Sequence, residues 1–543
     1  MKIHRYFFTL LILCLFACGN NQKDDRALRL GWAGSPDALN PGTAVLSQAY
    51  ILFGLIYDTL YTLELDGSFS PRLISNRTVS EDHKTWTFHL RSGITFHDGH
   101  PLTAHDVAFS LTLYHQHPEF PLLYSYTRQF ETVHAPNDST VVLTLTAPIP
   151  NIEGQLVFLW ILPKHIWQTH AEGEAATKFD NKSLIGSGPY KLVEYQQNAF
   201  VHLSANAQHP LSPRTSSDLV FQTFSNQDAL VQAIRTGQVD AILEMPYTAY
   251  QGLDAQHDIQ AASGTPVQPE TTDILINQLN PAQLPKGSVG SGHPALRDQR
   301  VRKALSMAVD KQQLINVVLL GLGKPGLTLI PEGLGDWYNR DIQDHSFDID
   351  QAKMLLDEAG CRDQNGDGIR ETADGKPLTF RLNWPTDSTV APRMARMLAD
   401  MWMAIGVGTQ LQAMDPDALT AICCPAFDYD IIIWGWTTAS DPGFLLDVMT
   451  TSGIATGANE TGYSNAAYDA LYHQQATERD REKRRQIVWQ MQRLVHDDVV
   501  YIIPFYPSAV QAYRTDRFTG WITNTPRLGL ETAQALSALS PVQ

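Results

Sequence analysis

The sequence predicts an α/β fold made of more than one lobe, and three observations carry this prediction. The chain has 543 residues, more than a single hydrophobic core usually supports. Residues 27–32 predict a first strand, which is followed by a loop at 33–41 and a helical pattern at 48–60, the order that begins an α/β unit. Residues 428–442 predict a buried strand that ends in a polar turn.

The charge of the chain excludes one large class of partner. The chain has 40 basic and 57 acidic side chains and a net charge of −17, with no basic stripe. A nucleic acid would require a positive surface, so we expect no nucleic-acid partner. The protein charge also provides no attraction to an anionic membrane surface.

The sequence lacks the spacings that mark common catalytic and cofactor sites. It contains no His-Glu-x-x-His and no Gly-x-Ser-x-Gly segment. Residues 321–326 fit Gly-x-Gly-x-x-Gly, but they follow a predicted helix, and Pro325 stands where a phosphate-binding helix would begin. We therefore predict a loop that ends a helix, no cofactor and no enzymatic activity.

The N-terminus is predicted to be a targeting segment that lies outside the fold. A basic flank precedes an apolar run at 6–17, which ends beside Cys18. This pattern resembles a bacterial lipoprotein signal, in which residues 1–17 are removed and Cys18 carries the lipid. Residues 18–25 would then form a polar tether. Simple secretion is the alternative.

Three further cysteines, Cys361, Cys423 and Cys424, would remain in the mature chain. Their spacing matches none of the Cys-x-x-Cys or Cys/His patterns of zinc sites. An odd number cannot pair completely, and the sequence leaves open one disulfide between Cys361 and the adjacent pair.

Three further segments give clear helix and strand signals. Residues 85–91 alternate apolar and polar side chains, as a half-buried strand does. A helix is predicted to begin after Thr103, its N-cap, with Asp106 in the first turn. The apolar positions from 301 to 319 predict one amphipathic helix that is capped by Asp298.

A turn at 363–374 offers the oxygen ligands of a calcium-binding loop. The candidate ligands fall at positions that an EF-hand loop uses, with a glycine at the sixth position: Asp363, Asn365, Asp367, Glu371 and Asp374. Residues 376–382 predict a strand, so the second helix of an EF-hand is missing. Asn-Gly-Asp-Gly is also a favourable plain turn, and we expect this solvated alternative.

The strand predicted within 428–442 carries the best candidate for a ligand site. Two indoles, two hydroxyls and a carboxylate follow one another where the strand ends: Trp434, Trp436, Thr437, Thr438 and Asp441. Flat apolar walls with a few polar groups are typical of sites for organic ligands. The alternative is a core strand whose tryptophans pack internally.

Several segments together resemble one protein family. Residues 86–110 read WTFHLRSGITFHDGHPLTAHDVAFS, which is very similar to the signature stretch of the family 5 extracellular solute-binding proteins. These proteins bind dipeptides, oligopeptides or nickel for ABC importers. Further segments match the family in its order, so the resemblance covers nearly all of the mature chain: 161–166, 185–191, 298–310, 429–442 and 461–465.

The resemblance implies a type II periplasmic-binding-protein fold of the α/β class, with two large lobes joined by a hinge and a further domain inserted in the first lobe. Residues 274–277 and 502–505 would be the crossing strands of the hinge. The implied division is lobe I at 26–60, 183–272 and 503–543, the inserted domain at 61–182, and lobe II at 273–502.

The resemblance also implies how such a protein works. The two lobes would close around a ligand, and an ABC transporter would recognise the closed form. The strand-end residues of lobe II would then face Gly34, Ser35 and Tyr50 of lobe I. The protein would be a monomer, anchored by lipid at the periplasmic or extracellular face of a membrane, and its partners would be the permease subunits.

The ligand is where the chain departs from the dipeptide-binding members. Those members place an Asp soon after the Gly-Trp pair, whereas this chain has Ala439 and Ser440 there. They also place an Arg before a helix of the second lobe, and residues 385–391 contain none. Because a dipeptide's charges would be buried unpaired, we expect a longer peptide, a sugar or another organic solute. A lipid-anchored scaffold or adhesin and a secreted hydrolase are the alternative functions.

Overall fold

The computed structural model describes residues 27–212, 218–254, 257–438 and 441–542. The predicted signal segment 1–17, the lipidation site Cys18, the tether 18–25 and the pair Ala439–Ser440 lie outside the described residues. Within the described ranges, no helix combines the length and the apolar character that a membrane crossing requires.

The strands account for most of the layers that position the candidate site. In chain order they are β1 (Leu28–Ala33), β2 (Tyr61–Leu63), β3 (Phe69–Pro71), β4 (Ile74–Val79), β5 (Thr85–Leu90), β6 (Phe130–Asn137), β7 (Thr140–Leu145), β8 (Tyr190–Gln196), β9 (Phe200–Ala205), β10 (Asp218–Phe224), β11 (Ala241–Ile242), β12 (Ile259–Pro266), β13 (Glu270–Ile276), β14 (Gly323–Pro325), β15 (Thr379–Pro385), β16 (Gly408–Met414), β17 (Ile431–Thr437), β18 (Tyr501–Pro507), β19 (Ala509–Arg514), β20 (Phe518–Thr519), β21 (Arg527–Leu528) and β22 (Ser540–Pro541).

The helices cover the faces of the sheets. In chain order they are α1 (Ser47–Ile56), α2 (Ala104–Gln116), α3 (Pro121–Thr127), α4 (Ile152–Leu156), α5 (Lys164–Trp167), α6 (Glu174–Lys178), α7 (Gln227–Arg235), α8 (Tyr247–Asp254), α9 (Gln299–Met307), α10 (Lys311–Val318), α11 (Ile349–Glu358), α12 (Ala391–Met403), α13 (Pro416–Cys423), α14 (Gly443–Asp447), α15 (Gly453–Thr456), α16 (Ala466–Thr477), α17 (Arg481–Asp497) and α18 (Ala533–Ser537).

Two large mixed sheets and one smaller sheet organise these elements, which confirms the α/β prediction. The first sheet has the order β21-β12-β19-β11-β1-β10-β9-β8. The second has the order β14-β18-β13-β17-β15-β16. The third, β4-β5-β7-β6, is antiparallel and is formed between residues 74 and 145.

The second sheet is buried on both faces because its central strands are apolar on both sides. Ile274 and Ile433 belong to one core cluster, whereas Leu275 and Ile432 belong to the cluster on the opposite face. This is the continuous apolar pattern that a strand covered on both faces requires. The first and third sheets share a separate core cluster, which packs them against each other.

The chain passes between the two large sheets twice. β12 of the first sheet leads through residues 267–269 into β13 of the second, and β18 leads through Ser508 back into β19. The structure places both predicted crossing segments, 274–277 and 502–505, at or within β13 and β18. The predicted lobe boundaries beside them fall in the same two strands. Their apolar residues pair inside the second sheet, so each connection lies a few residues nearer the first sheet.

The prediction of one continuous helix from 301 to 319 was wrong, although its buried apolar positions were predicted correctly. The structure has two helices there, α9 and α10. Asp298 caps the first helix as predicted, but Asp310 caps the second by accepting a hydrogen bond from the Gln313 backbone N–H at 2.8 Å. A second N-cap inside an apolar stripe breaks the helix without changing which side chains are buried.

His97 is predicted to make the fold sensitive to acid. Its Nδ1 accepts a hydrogen bond from the Gly186 backbone N–H at 3.3 Å, and its Nε2 lies 3.1 Å from the Gly188 carbonyl, so the neutral ring with a proton on Nε2 fits. Burial lowers the pKa of His97 to about 4. Because the unfolded chain binds a proton near pH 6.5, stability should fall by about 2–3 kcal/mol as the pH drops from 7 to 4.

Urea unfolding at a series of pH values would measure this loss. His97→Gln should flatten the dependence between pH 6.5 and 4. His105→Gln is the matched control, because His105 is exposed and only approaches Asp138 at 3.4 Å. The same acid slope in wild type and His97→Gln would contradict the prediction.

Candidate functional site

The end of β17 is the candidate ligand site in the second lobe. The strand forms because Ile431, Ile432 and Ile433 are buried, and it pairs antiparallel with β13 from Ile276↔Ile431 to Glu270↔Thr437. Beyond the isoleucines the strand passes from the core to the surface, so its last residues can combine packing with exposure.

The two tryptophans turn toward the core, and the residues that alternate with them face outward. Trp434 and Trp436 are half-buried against the core cluster on one face of the second sheet. The Trp436 ring makes an edge contact with Phe444 at 5.4 Å, and Phe444 is 58% exposed. Gly435 and Thr437 are exposed. The strand therefore presents a glycine and a hydroxyl, with the partly exposed indoles beside them.

Asp441 is held by an arginine that lies 43 residues away in the sequence. Arg484 of α17 donates to both carboxylate oxygens of Asp441, at 2.6 and 2.9 Å. Burial opposes the charge on Asp441, but the Arg484 guanidinium outweighs this and holds the pKa of the carboxyl below its usual value. Asp441 also accepts from the Gly443 backbone N–H at 2.8 Å, so its carboxylate fixes the turn that follows the strand.

The predicted residues of the first lobe gather where β1 ends and α1 begins. Gln48 donates to the Ala33 carbonyl at 2.6 Å, which joins the two elements beside the exposed Gly34. The Ser35 hydroxyl accepts from the Asn198 backbone N–H at 3.2 Å. These residues form a small polar surface at the carboxyl end of a central strand, where α/β sheets often bind ligands.

Tyr50 contributes its ring more than its hydroxyl to this surface. The hydroxyl donates to the Ala44 carbonyl at 3.2 Å, and the ring lies 5.2 Å from that of Trp160. Burial raises the pKa of Tyr50 well above its usual value. Among the described residues, no hydrogen bond or ring contact joins Gly34, Ser35 or Tyr50 to the end of β17.

Two residues at the junction of the lobes, Glu270 and Tyr247, are not among the site residues that were predicted from the sequence. Glu270 begins β13 directly opposite Thr437, and its side chain is exposed. The Thr438 backbone N–H donates to the Pro269 carbonyl at 3.0 Å, so the strand end is tied to the first connection between the sheets. Near the second connection, the Tyr247 hydroxyl donates to the Ser508 carbonyl at 3.0 Å. The only sequence signal for Glu270 is that an acidic residue precedes an apolar strand.

The turn at 363–374 brings together only part of the predicted calcium ligands. Carboxylate oxygens of Asp363, Asp367 and Glu371 lie within 4.8 Å of one another. Asn365 instead donates its amide to Glu371 at 2.7 Å, and Asp374 bonds to the Thr372 hydroxyl. Backbone N–H groups of Gly366 and Gly368 occupy both oxygens of Asp363. The turn closes on its own hydrogen bonds, which favours the plain-turn alternative.

Comparison with known proteins identifies the fold and the family. The family model described as bacterial extracellular solute-binding proteins, family 5 middle, matches residues 68–457. The structure of NikA from Brucella suis in complex with Fe(III)-EDTA has a TM-score of 0.81 at 21% identity, and the match covers 95% of this chain and 100% of that chain. The predicted periplasmic-binding-protein fold is therefore confirmed.

Curated relatives agree with this assignment. The oligopeptide-binding protein AppA of Bacillus subtilis is 26% identical over 432 residues, which cover 77% of this chain and 75% of that protein. The dipeptide-binding protein of Escherichia coli is 26% identical over 516 residues, which cover 89% of this chain and 90% of that protein. Because the family model spans most of the sequence, this chain belongs to the family 5 bacterial extracellular solute-binding proteins, which serve ABC importers of peptides and nickel.

Proposed function

We propose that this protein is the substrate-binding lipoprotein of an ABC importer and that it captures a peptide or a related small organic solute between two closing lobes. Cys18 would carry the lipid anchor at the periplasmic or extracellular face of the membrane. The protein would act as a monomer and deliver its ligand to the permease subunits of the transporter.

The observation that carries this proposal is the position of the β17 end beside a connection between the sheets. Among the described residues, only 267–269 and Ser508 link the two large sheets along the chain. The exposed Thr437 and Glu270 lie next to the first link, through the bond from Thr438 to Pro269. A ligand bound there would touch both lobes near the axis of their motion, which is how closure gains free energy from binding.

The residues at this position suit an organic ligand with hydrogen-bonding groups. Trp434 and Trp436 would supply apolar walls, and Thr437 and Thr438 would supply polar groups. Gly34, Ser35 and Tyr50 would form the opposite wall in the first lobe. Asp441 would act through the turn that it holds, because Arg484 occupies both of its oxygens.

The names of the relatives favour a peptide, and the residues of this chain favour one longer than a dipeptide. AppA is named an oligopeptide-binding protein. Residues 385–391 carry no Arg, so a short zwitterion would lack a partner for its carboxylate there. Glu270 is an exposed carboxylate that would receive an ammonium group of a bound peptide.

Trp436→Ala is expected to weaken ligand binding by about tenfold or more, since it removes the aromatic wall at the strand end. The test is a thermal-shift titration with pooled tri-, tetra- and pentapeptides, with disaccharides as the second probe. Trp489→Ala is the matched control, because Trp489 is half-buried on α17 and donates its indole N–H to the Asp336 carbonyl.

The expected result is a ligand-induced shift that Trp489→Ala keeps and Trp436→Ala loses, while both variants retain the wild-type circular dichroism. Unchanged binding in Trp436→Ala would remove this strand from the site. Stabilisation by no probe, together with unchanged small-angle scattering, would instead favour a scaffold that does not close. Turnover of a peptide or ester would favour a hydrolase.

A further inference from the structure

A cluster of thiols and carboxyls lies beneath the end of β17, and none of its residues is among those of the proposed ligand site. It consists of Cys423, Cys424, Glu460 and Asp273, and we refer to it as the thiol–carboxyl cluster. The two sulfur atoms are 3.4 Å apart. Ligand atoms of Cys423, Cys424 and Glu460 all lie within 4.8 Å of one another.

Three carboxyl oxygens of this cluster are buried without a hydrogen-bond partner. Asp273 is 0% exposed, and neither of its oxygens has a hydrogen-bond partner. Glu460 is 8% exposed, and its Oε2 also has no partner. Within the described ranges, no Lys, Arg or His forms an ion pair with either residue. Buried polar groups are nearly always satisfied, so three unsatisfied carboxyl oxygens in one cluster require an explanation. A bound cation would satisfy these oxygens, because it would supply the positive charge that no Lys, Arg or His of the described ranges provides.

The cluster is held in place by the backbone around it. Cys423 ends α13, and its carbonyl accepts from the Phe427 backbone N–H at 2.8 Å. The Tyr429 hydroxyl donates to the Glu460 carbonyl. Cys424 is only half-buried, so the cluster has a path to solvent. Fixed ligands with one accessible edge are what a metal site needs.

We propose that Cys423, Cys424 and Glu460 bind a thiophilic divalent cation of the zinc type, with Asp273 providing compensating negative charge. Zinc lies about 2.3 Å from sulfur and about 2.0–2.2 Å from oxygen, so its ligands need to stand roughly 3.5–4 Å apart. The 3.4 Å separation of the sulfurs is close to that requirement. This site could not be predicted from the sequence. Two adjacent cysteines match no zinc spacing, and the third ligand, Glu460, comes from a distant turn.

The test uses the full chain, reduced and treated with a chelator, and Cd²⁺ as the probe. Thiolate-to-Cd²⁺ charge transfer absorbs in the ultraviolet, so binding to sulfur is observed directly, and Zn²⁺ is then added as competitor. We expect one saturable site that Zn²⁺ displaces. Cys424→Ser and Glu460→Gln should each weaken Cd²⁺ binding by about tenfold or more.

Cys361→Ser is the matched control, because Cys361 is a free, buried cysteine of the same lobe in a different core cluster. It should leave Cd²⁺ binding unchanged. Thermal unfolding of each variant shows that the fold is retained, and the half-buried Cys424 and the isosteric Glu460→Gln are chosen for that reason. Absence of a saturable band, or a band that Glu460→Gln leaves unchanged, would overturn the proposal.

Discussion

Replacing Arg484 with methionine is expected to lower the free energy of unfolding by about 3 kcal/mol or more. The Arg484 side chain is 5% exposed and that of Asp441 is 21% exposed. Arg484 also donates to Gln475 at 3.1 Å and lies 4.9 Å from the centre of the Trp337 ring. Its removal leaves the Asp441 carboxylate largely buried without a countercharge, which costs more than the ion pair itself contributes.

Urea unfolding measures this effect, and the next residue on the helix provides the control. Arg485 pairs with Glu482, but these side chains are 27% and 59% exposed. Arg485→Met should therefore change stability by about 1 kcal/mol or less. The double variant Asp441→Asn with Arg484→Met should recover part of the loss, because it removes the unpaired charge. Equal effects of Arg484→Met and Arg485→Met would contradict the prediction.

Gly186→Ala is expected to destabilise the fold by about 3 kcal/mol or more, or to prevent folding. A Cβ at this position would lie 2.0 Å from the Ile56 carbonyl oxygen. The atom that the Cβ meets belongs to the backbone, so no side chain can move to relieve the clash. Gly186 also accepts a hydrogen bond from the His97 backbone N–H at 2.8 Å, which prevents the turn from shifting freely.

A second glycine near the same helix end provides the control for this prediction. Gly54 lies within α1, and a Cβ there would meet nothing within 4 Å. Gly54→Ala should stabilise the protein by roughly 0.5–1 kcal/mol, because alanine loses less backbone entropy in a helix. The midpoints of urea unfolding would compare the variants, and a Gly186→Ala midpoint near that of wild type would contradict the close approach.

Local structure could be predicted where a few neighbouring residues determine it. Thr103 is the N-cap of α2 and Asp106 lies in its first turn, as predicted, and the Thr103 backbone N–H donates to the Asp106 carboxylate at 2.9 Å. The β-branched run before Trp434 forms the buried strand that its pattern predicts. At Asp310, two local rules disagreed: the apolar stripe continued, but the cap ended one helix and began the next.

The chemistry of the candidate sites could not be predicted in the same way, because it depends on residues far apart in sequence. Nothing near Asp441 indicates that Arg484 will pair with it, and nothing near Cys423 indicates Glu460. Asp273 stands within an apolar strand, where the pattern shows its burial but not its missing partner. The resemblance to a family carried the fold and suggested where a ligand would bind, whereas it said nothing of these three residues.

The order of the strands also determines when each lobe can be completed during synthesis. All six strands of the second sheet come from the continuous segment 270–507. The first sheet lacks β19 until residues 509–514 emerge, and β19 lies between β12 and β11. Until then the first sheet is divided, and two unpaired strand edges face each other. The lobe that begins the chain is therefore the last to be finished, and nascent or truncated chains expose it to aggregation and proteolysis.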